Sequence, residues 1–183
     1  MNWLFGRITD ISEETYNQIS KNLSDSRRAR VSLLAKEQDR RRSLMAVYLV
    51  QKLLENSKCT GTTLENNANG RPFLSGCNLF VSISHSKDGV ACVLSEEPVG
   101  IDIEKIRPIK KELIEYVCTD KEKEYIGGAV KTSLAEQRFY EVWTAKEAYF
   151  KKHCEENLTV RKIDTFSFEK QTHYIDDFII TIV

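Results

Sequence analysis

The stretch VGIDIEKIRP, residues 99–108, alternates carboxylates with isoleucines, which is unusual for a strand. If the stretch is a strand, Asp102 and Glu104 lie on the same face, because side chains alternate between the two faces. Neighbouring carboxylates repel each other, and a bound cation would offset that repulsion. Carboxylate oxygens are the ligands that Mg²⁺ prefers. The pattern therefore predicts a cation site, although such pairs also occur on solvated sheet faces.

A third carboxylate belongs to FYEVWTAKEAYFKK, residues 139–152, which predicts a helix with an apolar stripe. Glu147 and Lys151 are four residues apart and therefore lie on one helical face. One interpretation is an exposed ion pair, which contributes about 0.2–0.5 kcal/mol. The other is that Glu147 joins Asp102 and Glu104 around a metal ion.

Side chains that suit phosphate oxygens occur earlier in the chain. His85 lies in SISHS after a predicted strand, Arg71 follows the turn signal Asn69-Gly70, and arginines occupy residues 40–42. A planar guanidinium matches phosphate oxygens, but a structural histidine and a solvated helix face are the alternatives. Because the sequence contains neither GxxxxGK[ST] nor GxGxxG, side chains and a metal would have to hold a polyphosphate.

The composition is typical of a globular protein and indicates neither a nucleic-acid nor a membrane partner. Apolar residues make up 41% of the 183 residues and charged residues 30%. Basic and acidic residues number 27 each, so there is no overall basic field. No segment resembles a signal peptide or reaches the roughly 20 apolar residues of a membrane helix. We therefore expect a cytoplasmic protein.

The cysteines favour the same compartment. They are five in number and scattered, without a CxxC pair. An odd, unpatterned set argues against a disulfide framework and against a zinc site. The sequence therefore predicts reduced thiols with a structural role.

The elements that must position these groups fall into two sets. Helices are predicted at residues 11–23, 36–58 and 134–152, from Pro108, and from Thr119, where Glu122 completes a capping box. Strands are predicted at residues 2–8, 79–84, 89–95, 100–104, 165–169 and 177–183. The stretch SEEP, residues 95–98, predicts a boundary between halves 1–98 and 99–183. Each half then has strands and a long helix, which indicates an α+β protein.

The motifs in this order resemble the signature of the 4′-phosphopantetheinyl transferases. VGIDIEKIRP and FYEVWTAKEAYFK are similar to the family's paired acidic motifs, SISHS to a third motif, and NGRP, residues 69–72, to a fourth. The two halves on one chain resemble the surfactin-synthetase-type branch, which implies a pseudo-dimer of two similar α+β halves that acts as a monomer. The resemblance implies transfer of phosphopantetheine from coenzyme A to a serine of an apo acyl or peptidyl carrier protein.

The resemblance also implies roles for individual residues. The metal ligands for Mg²⁺ would be Asp102, Glu104 and Glu147. The catalytic groups would be Glu147, as base toward the serine, and Lys151, at the pyrophosphate. Contacts to coenzyme A in the N-terminal half would come from Arg27, Arg30, Arg42, Arg71, Ser84 and His85, with Lys151 adding one from the C-terminal half.

Two alternatives and two departures accompany this interpretation. The alternatives are a Mg²⁺-dependent phosphodiesterase and a non-catalytic module that binds carrier proteins. The departures are the run KKHCEENLTV after Lys151, which lacks the glycine turn of the family, and an early end at DFIITIV. We expect the carrier protein to bind near residues 116–125.

Overall fold

The computed structural model describes residues 1–55, 57, 59–128, 132–154 and 158–183. This part of the chain divides into two compact units, Met1–Val99 and Gly100–Val183. The division falls beside the predicted boundary between residues 98 and 99. Both units combine helices with antiparallel strands, so the predicted α+β class is confirmed.

The first unit begins with a strand and ends with a hairpin. Its strands are β1 (Asn2–Arg7), β2 (Thr63–Asn66), β3 (Pro72–Ser75), β4 (Phe80–Ser86) and β5 (Gly89–Ser95). Its helices are α1 (Glu13–Lys21), α2 (Asp25–Ser32) and α3 (Glu37–Glu55). The predicted cap of α1 is confirmed, because the Ser12 hydroxyl accepts a hydrogen bond from the Thr15 backbone N–H at 3.2 Å.

The core of this unit lies between α3 and the sheet β1-β5-β4. α3 contributes buried residues such as Leu44, Val47 and Val50, and β5 is buried along almost its whole length. Each fully buried aliphatic side chain contributes about 1.5–3 kcal/mol. The predicted helix extended to residue 58, and residues 56 and 58 lie outside the described chain.

The second unit contains the acidic strand and the long C-terminal helix. Its strands are β6 (Ile101–Lys105), β7 (Gln171–Ile175) and β8 (Phe178–Ile182). Its helices are α4 (Lys111–Val117), α5 (Asp120–Gly127) and α6 (Thr132–His153), with a 3₁₀ turn at Val160–Lys162. α6 packs on β6 and β8. The predicted capping box of Thr119 and Glu122 at the start of α5 is confirmed.

The two units share one topology. In the first, the strand order is β1-β5-β4, with α3 between β1 and the β4–β5 hairpin. In the second, the order is β6-β8-β7, with α6 between β6 and the β7–β8 hairpin. Both hairpins have two-residue turns, whose first residues, Lys87 and Asp176, have positive φ values of 56° and 52°. This match supports the prediction of two similar halves.

Two segments of the first unit are more regular than the sequence predicted. The stretch rich in turn residues before Gly76 forms the antiparallel hairpin β2–β3. The basic segment that starts at Ser24 forms α2, with Ser24 as its N-cap. The short strands were missed because Asn and Gly residues outweigh their few apolar positions.

The predicted strand at residues 165–169 was wrong. The segment turns, because Ser167 N–H bonds to the Asp164 carbonyl at 3.1 Å and Thr165 N–H bonds to Glu122 Oε1 at 3.0 Å. The strand is β7, which pairs with β8 through the turn at residues 176–177. The alternation of residues 165–169 fits a strand, but a carboxylate distant in the sequence holds their backbone in another conformation.

The prediction that the cysteines are reduced was also wrong for one pair. Cys59 and Cys77 form a disulfide, with Cα atoms 5.7 Å apart. The β2–β3 hairpin lies between them in sequence and brings its two ends together, which a scan of cysteine spacing does not reveal. Cys92 and Cys118 are buried thiols, as expected, and burial raises the pKa of both.

No helix in the described residues is long and apolar enough to cross a membrane.

Candidate active site

A glycine at the start of the acidic strand, β6, allows its backbone to pack closely against that of α6. A Cβ built on Gly100 would overlap the carbonyl oxygen of Ala148 and lie 2.8 Å from the backbone nitrogen of Lys152. Only a residue without a side chain permits this approach of strand and helix. Gly100 also exchanges backbone hydrogen bonds of 3.1 and 3.0 Å with Val183. The start of β6 is therefore fixed against both α6 and the end of the chain.

Asp102 and Glu104 lie on the face of β6 that is turned toward α6. Asp102 pairs in register with Thr181, and the Thr181 hydroxyl hydrogen-bonds the Thr144 hydroxyl of α6 at 2.7 Å. Cross-strand partners share a face, so the carboxylates share the face of Thr181. Ile103 lies on the opposite face and is fully buried. The alternation predicted for this strand is confirmed.

Lys151 of α6 binds the first of these carboxylates. Its ammonium donates to Asp102 Oδ1 at 2.6 Å and to the Ile101 carbonyl at 3.2 Å. The Asp102 side chain is 7% exposed and that of Lys151 is 29% exposed. The lysine that the sequence placed beside Glu147 therefore contacts a carboxylate 49 residues away.

Glu147 lies in the same negative field. Burial raises the pKa of its carboxyl, and the charges of Asp102 and Glu104 raise it further, while Lys151 opposes them. Glu147 therefore interacts with two carboxylates and one ammonium, and Glu104 also interacts with the guanidinium of Arg107. Such a cluster is suited to bind a cation.

The cluster does not form a ready metal cage. Among the described residues, no group of three or more histidine, cysteine, aspartate or glutamate side chains is arranged to hold a metal ion. The oxygen donors match Mg²⁺ in type, and the cation that Asp102 contacts is the ammonium of Lys151. Binding of Mg²⁺ by all three carboxylates would require their side chains to turn.

A second lysine of α6 was not recognised from the sequence. Lys146 is fully buried and forms an ion pair of 2.8 Å with Glu122, which is also fully buried. Its ammonium also donates to the Ile163 carbonyl, and Glu122 accepts from the backbone N–H groups of Thr119 and Thr165. This satisfied pair joins α6 to α5 and holds the helix that carries Glu147. The capping box is the one sequence signal that pointed to Glu122.

The first unit contains a cleft of about 340 Å³ that is rich in basic groups. The predicted coenzyme A contacts among its lining residues are Arg27, Arg30, Arg42 and His85. Gly70 and Pro72, on either side of Arg71, also line it. Residues from α2, α3, the β2–β3 hairpin and β4 thus converge on one cavity, although they are widely separated in the sequence.

Arg42 is held in place before any ligand binds. Its guanidinium donates to the Lys87 carbonyl at 2.6 Å and also pairs with Asp39 one turn earlier in α3. The Arg42 side chain is 16% exposed. Fixing a guanidinium in this way lowers the entropy lost when it binds an anion.

Ser84 and His85 lie on opposite faces of β4. His85 is exposed and lines the cleft, whereas Ser84 is buried, as expected for successive residues of a strand. In the described chain, the lining of the cleft includes His85 but not Ser84. The binding role of Ser84 stays a prediction.

The end of α6 provides the turn for which the sequence offered no glycine. Cys154 follows the helix with a positive φ of 46° and donates its N–H to the Phe150 carbonyl at 2.9 Å. This left-handed conformation is the one that glycine usually provides at a helix C-terminus. Residues 155–157 of the run KKHCEENLTV lie outside the described chain.

The chain is similar in sequence to known proteins of one enzyme family. Residues 98–180 match the 4′-phosphopantetheinyl transferase superfamily. The 4′-phosphopantetheinyl transferase gsp of Aneurinibacillus migulanus is 30% identical over 152 residues, which cover 81% of this chain and 63% of the relative. The 4′-phosphopantetheinyl transferase Sfp of Bacillus subtilis strain 168 is 26% identical over 148 residues, which cover 77% of this chain and 64% of the relative.

A third relative, the 4′-phosphopantetheinyl transferase psf-1 of Bacillus pumilus, is 29% identical over 118 residues, or 62% of this chain and 50% of the relative. The chain thus spans between about half and two thirds of the length of these relatives. The superfamily match covers β6 and α6, the elements that carry the acidic cluster.

Proposed function

We propose, from the match of residues 98–180 to the 4′-phosphopantetheinyl transferase superfamily and the 30% identity to one such enzyme, that the chain is a member of this superfamily. It would transfer the 4′-phosphopantetheine group of coenzyme A to a serine of an apo acyl or peptidyl carrier protein. The products are the holo carrier protein and adenosine 3′,5′-bisphosphate. One observation carries the proposal: Asp102, Glu147 and Lys151 interact at the contact of β6 with α6, where burial and neighbouring carboxylates raise the pKa of Glu147. Such a cluster can bind a cation and accept a proton.

Mg²⁺ is the cation we propose for this cluster, with Asp102, Glu104 and Glu147 as its ligands. Support comes from the oxygen donors and from the repulsion that raises the pKa of Glu147. A bound Mg²⁺ would supply Lewis acidity toward phosphate oxygens. Lys151 would then be released from Asp102 to contact the pyrophosphate of coenzyme A.

The residues of the chain would act on the proton and on the leaving group. Glu147 takes the proton from the serine hydroxyl, whose oxygen forms a bond to the phosphorus that bears pantetheine. The bond from that phosphorus to the bridging oxygen breaks, and adenosine 3′,5′-bisphosphate leaves with the electron pair. Lys151 stabilises the charge that grows on the departing phosphate.

The basic cleft of the first unit is proposed to bind the phosphoadenosine part of coenzyme A. The groups assigned to this role are Arg27, Arg30, Arg42, Arg71, Ser84 and His85. Guanidinium groups fixed in advance, as Arg42 is by Asp39 and Lys87, favour bidentate contacts with phosphate oxygens. The N-terminal half would thus bind the co-substrate, and the C-terminal half would provide the metal and the base. The shared topology of the units agrees with the pseudo-dimer that the family resemblance implies, which we propose acts as a cytoplasmic monomer.

The surface for the carrier protein is proposed to lie at α4 and α5, residues 116–125. Tyr116 exposes 64% of its surface there, and the Arg161 guanidinium lies 4.7 Å from the centre of the Tyr116 ring. An exposed aromatic beside a cation is suited to bind a protein surface that is apolar and acidic. Tyr116→Ala is expected to raise the KM for the carrier protein and leave the KM for coenzyme A unchanged.

Intact mass of apo carrier proteins, measured after incubation with the protein, coenzyme A and Mg²⁺, tests the function. We expect a mass gain equal to one phosphopantetheine group, and none when EDTA is present. Glu147→Gln should lower the rate by about 10²–10⁴-fold. Glu14→Gln, at an exposed residue of α1 far in sequence from the proposed site, is the matched control and should leave the rate unchanged.

The same assay separates the alternatives. Release of adenosine 3′,5′-bisphosphate without any carrier protein would indicate a phosphodiesterase. Binding of coenzyme A and carrier proteins without transfer would indicate a non-catalytic module. Either result would overturn the proposed transfer.

A further inference from the structure

A buried arginine is linked by hydrogen bonds to the turn that precedes Arg71. Arg27 is 5% exposed, and its guanidinium donates to Asn66 Oδ1 at 2.6 Å. Asn66 ends β2, and its amide nitrogen donates to the Gly70 carbonyl at 2.7 Å. The chain of contacts therefore runs from α2 through one asparagine side chain to the residue before Arg71.

The chemistry of this link requires an asparagine. A guanidinium has only donors, and a backbone carbonyl only accepts. The amide oxygen of Asn66 must therefore face Arg27, and its nitrogen must face Gly70. Neither an aspartate nor an aliphatic residue could make both bonds.

The rest of the turn is fixed by its own backbone. Asn67 Oδ1 accepts hydrogen bonds from the N–H groups of Asn69 and Arg71 at 3.0 and 2.9 Å. Gly70 has a positive φ of 79°, which favours glycine. Because the turn is internally rigid, the bond from Arg27 to Asn66 helps to hold the whole turn against α2, together with the bond from the Ser24 hydroxyl to the Leu64 carbonyl at 3.4 Å.

The turn also lies close to a second basic residue of the cleft. A Cβ built on Gly70 would lie 3.2 Å from Arg30 Nη1, so the Arg30 guanidinium is close to the Gly70 backbone. Arg27 and Arg30 are both on α2. Both arginines line the cleft, but the Arg27 guanidinium is buried and bonded to Asn66, whereas Arg30 is exposed.

We propose that Arg27 is a positioning residue, which holds the Gly70 turn through Asn66 and so places Arg71 for binding the phosphates of coenzyme A. This role replaces the direct contact with coenzyme A that the family resemblance implies for Arg27, because Arg27 then acts through Arg71. This inference rests on the proposed function of the cleft, which is to bind coenzyme A. Arg30, Arg42 and Arg71 remain as the groups that contact the ligand.

A double-mutant cycle on coenzyme A affinity tests the inference. The dissociation constant is measured by calorimetry for wild type, Arg27→Gln, Arg71→Ala and the double variant. We expect Arg27→Gln and Asn66→Ala each to weaken binding about tenfold, because each frees the turn. Once Arg71 is absent, Arg27→Gln should have almost no further effect. Arg28→Ala is the matched control, since Arg28 is exposed and bonds the carbonyls of Lys21 and Leu23.

Other outcomes would overturn the inference. Additive losses in the cycle would mean that Arg27 contacts coenzyme A directly. A lower thermal midpoint with unchanged affinity in both Arg27→Gln and Asn66→Ala would mean a purely structural role. A wild-type protein that does not bind coenzyme A would overturn the proposed function as well, whereas the first two results leave that function intact.

Discussion

Lys146 and Lys151 lie on the same helix, and each contacts a carboxylate, but the two pairs differ in every other respect. Lys146 and Glu122 are both 0% exposed, and backbone groups satisfy their remaining hydrogen bonds. Lys151 is 29% exposed, and its partner Asp102 interacts with the carboxyl of Glu147. The first pair balances its charge within itself, and the second lies beside Glu147, whose pKa is raised by burial and by the charges of Asp102 and Glu104.

The difference shows that lysine and carboxylate side chains stabilise the fold in one pair and are available for the proposed reaction in the other. In a buried pair with matched charge, each side chain is already bonded and does not bind a ligand. The free-energy cost of burying the two charges is offset only while both partners are present. A carboxylate that is repelled by neighbouring carboxylates becomes more stable when a cation arrives. Lys146 therefore supports the helix, while Lys151 and Glu147 are available for the reaction.

The largest expected effect comes from removing the buried lysine. Lys146→Ala should lower the free energy of unfolding by about 3–5 kcal/mol, because Glu122 is left buried and uncompensated. Urea denaturation measures this loss. Lys121→Ala is the control, since Lys121 is 77% exposed, and it should change stability by less than about 0.5 kcal/mol. A loss from Lys146→Ala as small as the control's would contradict the structural role.

Gly100→Ala tests whether the close backbone approach at Gly100 fixes the start of β6 against α6. The new Cβ meets the backbone of Ala148, which cannot move aside easily, so we expect a loss of about 1–3 kcal/mol in unfolding free energy and lower transfer activity. Gly127→Ala is the matched control. A Cβ built on Gly127 meets no atom of the described chain within 4 Å, and the substitution should be neutral or stabilise by up to about 1 kcal/mol. Equal effects of the two substitutions would show that the close approach is unimportant.

Lys151→Ala should affect activity far more than stability. Because Lys151 is partly exposed, we expect unfolding to become easier by only about 1 kcal/mol. The transfer rate should fall by a larger factor, about 10²-fold or more, if this lysine stabilises the leaving group. Parallel denaturation and transfer assays make the comparison with Lys146→Ala. A variant that loses stability as strongly as Lys146→Ala would remove the distinction between the two lysines.

The pH dependence of stability tests the repulsion around Glu147. Its folded-state pKa lies above the ordinary 4.5, so the folded protein binds this proton more readily than the unfolded chain. Stability from this group therefore falls as pH rises from about the ordinary pKa through the raised one, and stays lowered above it. Without metal, Glu147→Gln should be more stable than wild type at pH 7, by less than about 1 kcal/mol. The difference should vanish below the ordinary pKa.

Urea denaturation in EDTA from pH 4 to pH 8 measures this difference, and adding Mg²⁺ should reverse its sign by stabilising wild type alone. Glu124→Gln, on an exposed part of α5, should show no such trend. A Glu147→Gln variant less stable than wild type at pH 7 in EDTA would contradict the repulsion.

The smallest effect is expected at Cys154, the residue that follows α6. Cys154→Gly removes the strain of a left-handed non-glycine residue, about 1 kcal/mol, and adds a similar entropy cost in the unfolded chain. We therefore expect a net change near zero in unfolding free energy, and transfer activity equal to wild type. Cys154→Val, which is β-branched, should be destabilising by comparison. Equal stability of the two variants would mean that the backbone there is not constrained.

Local rules allowed a large part of the fold to be predicted from the sequence. The caps at Ser12 and Thr119, the alternation around Ile103 and the long helices depend on residues close together in the chain, and the structure confirms them. Strand and helix spacings drew attention to Asp102, Glu104, Glu147 and Lys151, but the full set of site residues came from the resemblance to the 4′-phosphopantetheinyl transferases. Their roles in binding and catalysis stay predictions.

Contacts between distant residues were decided only by the tertiary structure. The Cys59–Cys77 disulfide, the burial of Arg27 against Asn66, and the ion pair of Lys146 with Glu122 each join segments that no local pattern relates. Lys146 and Glu147 are adjacent letters of one motif, and the sequence gives no reason to treat them differently. The fold gives them different surroundings. Lys146 pairs with the buried carboxylate of Glu122, whereas Glu147 lies beside the carboxylates of Asp102 and Glu104.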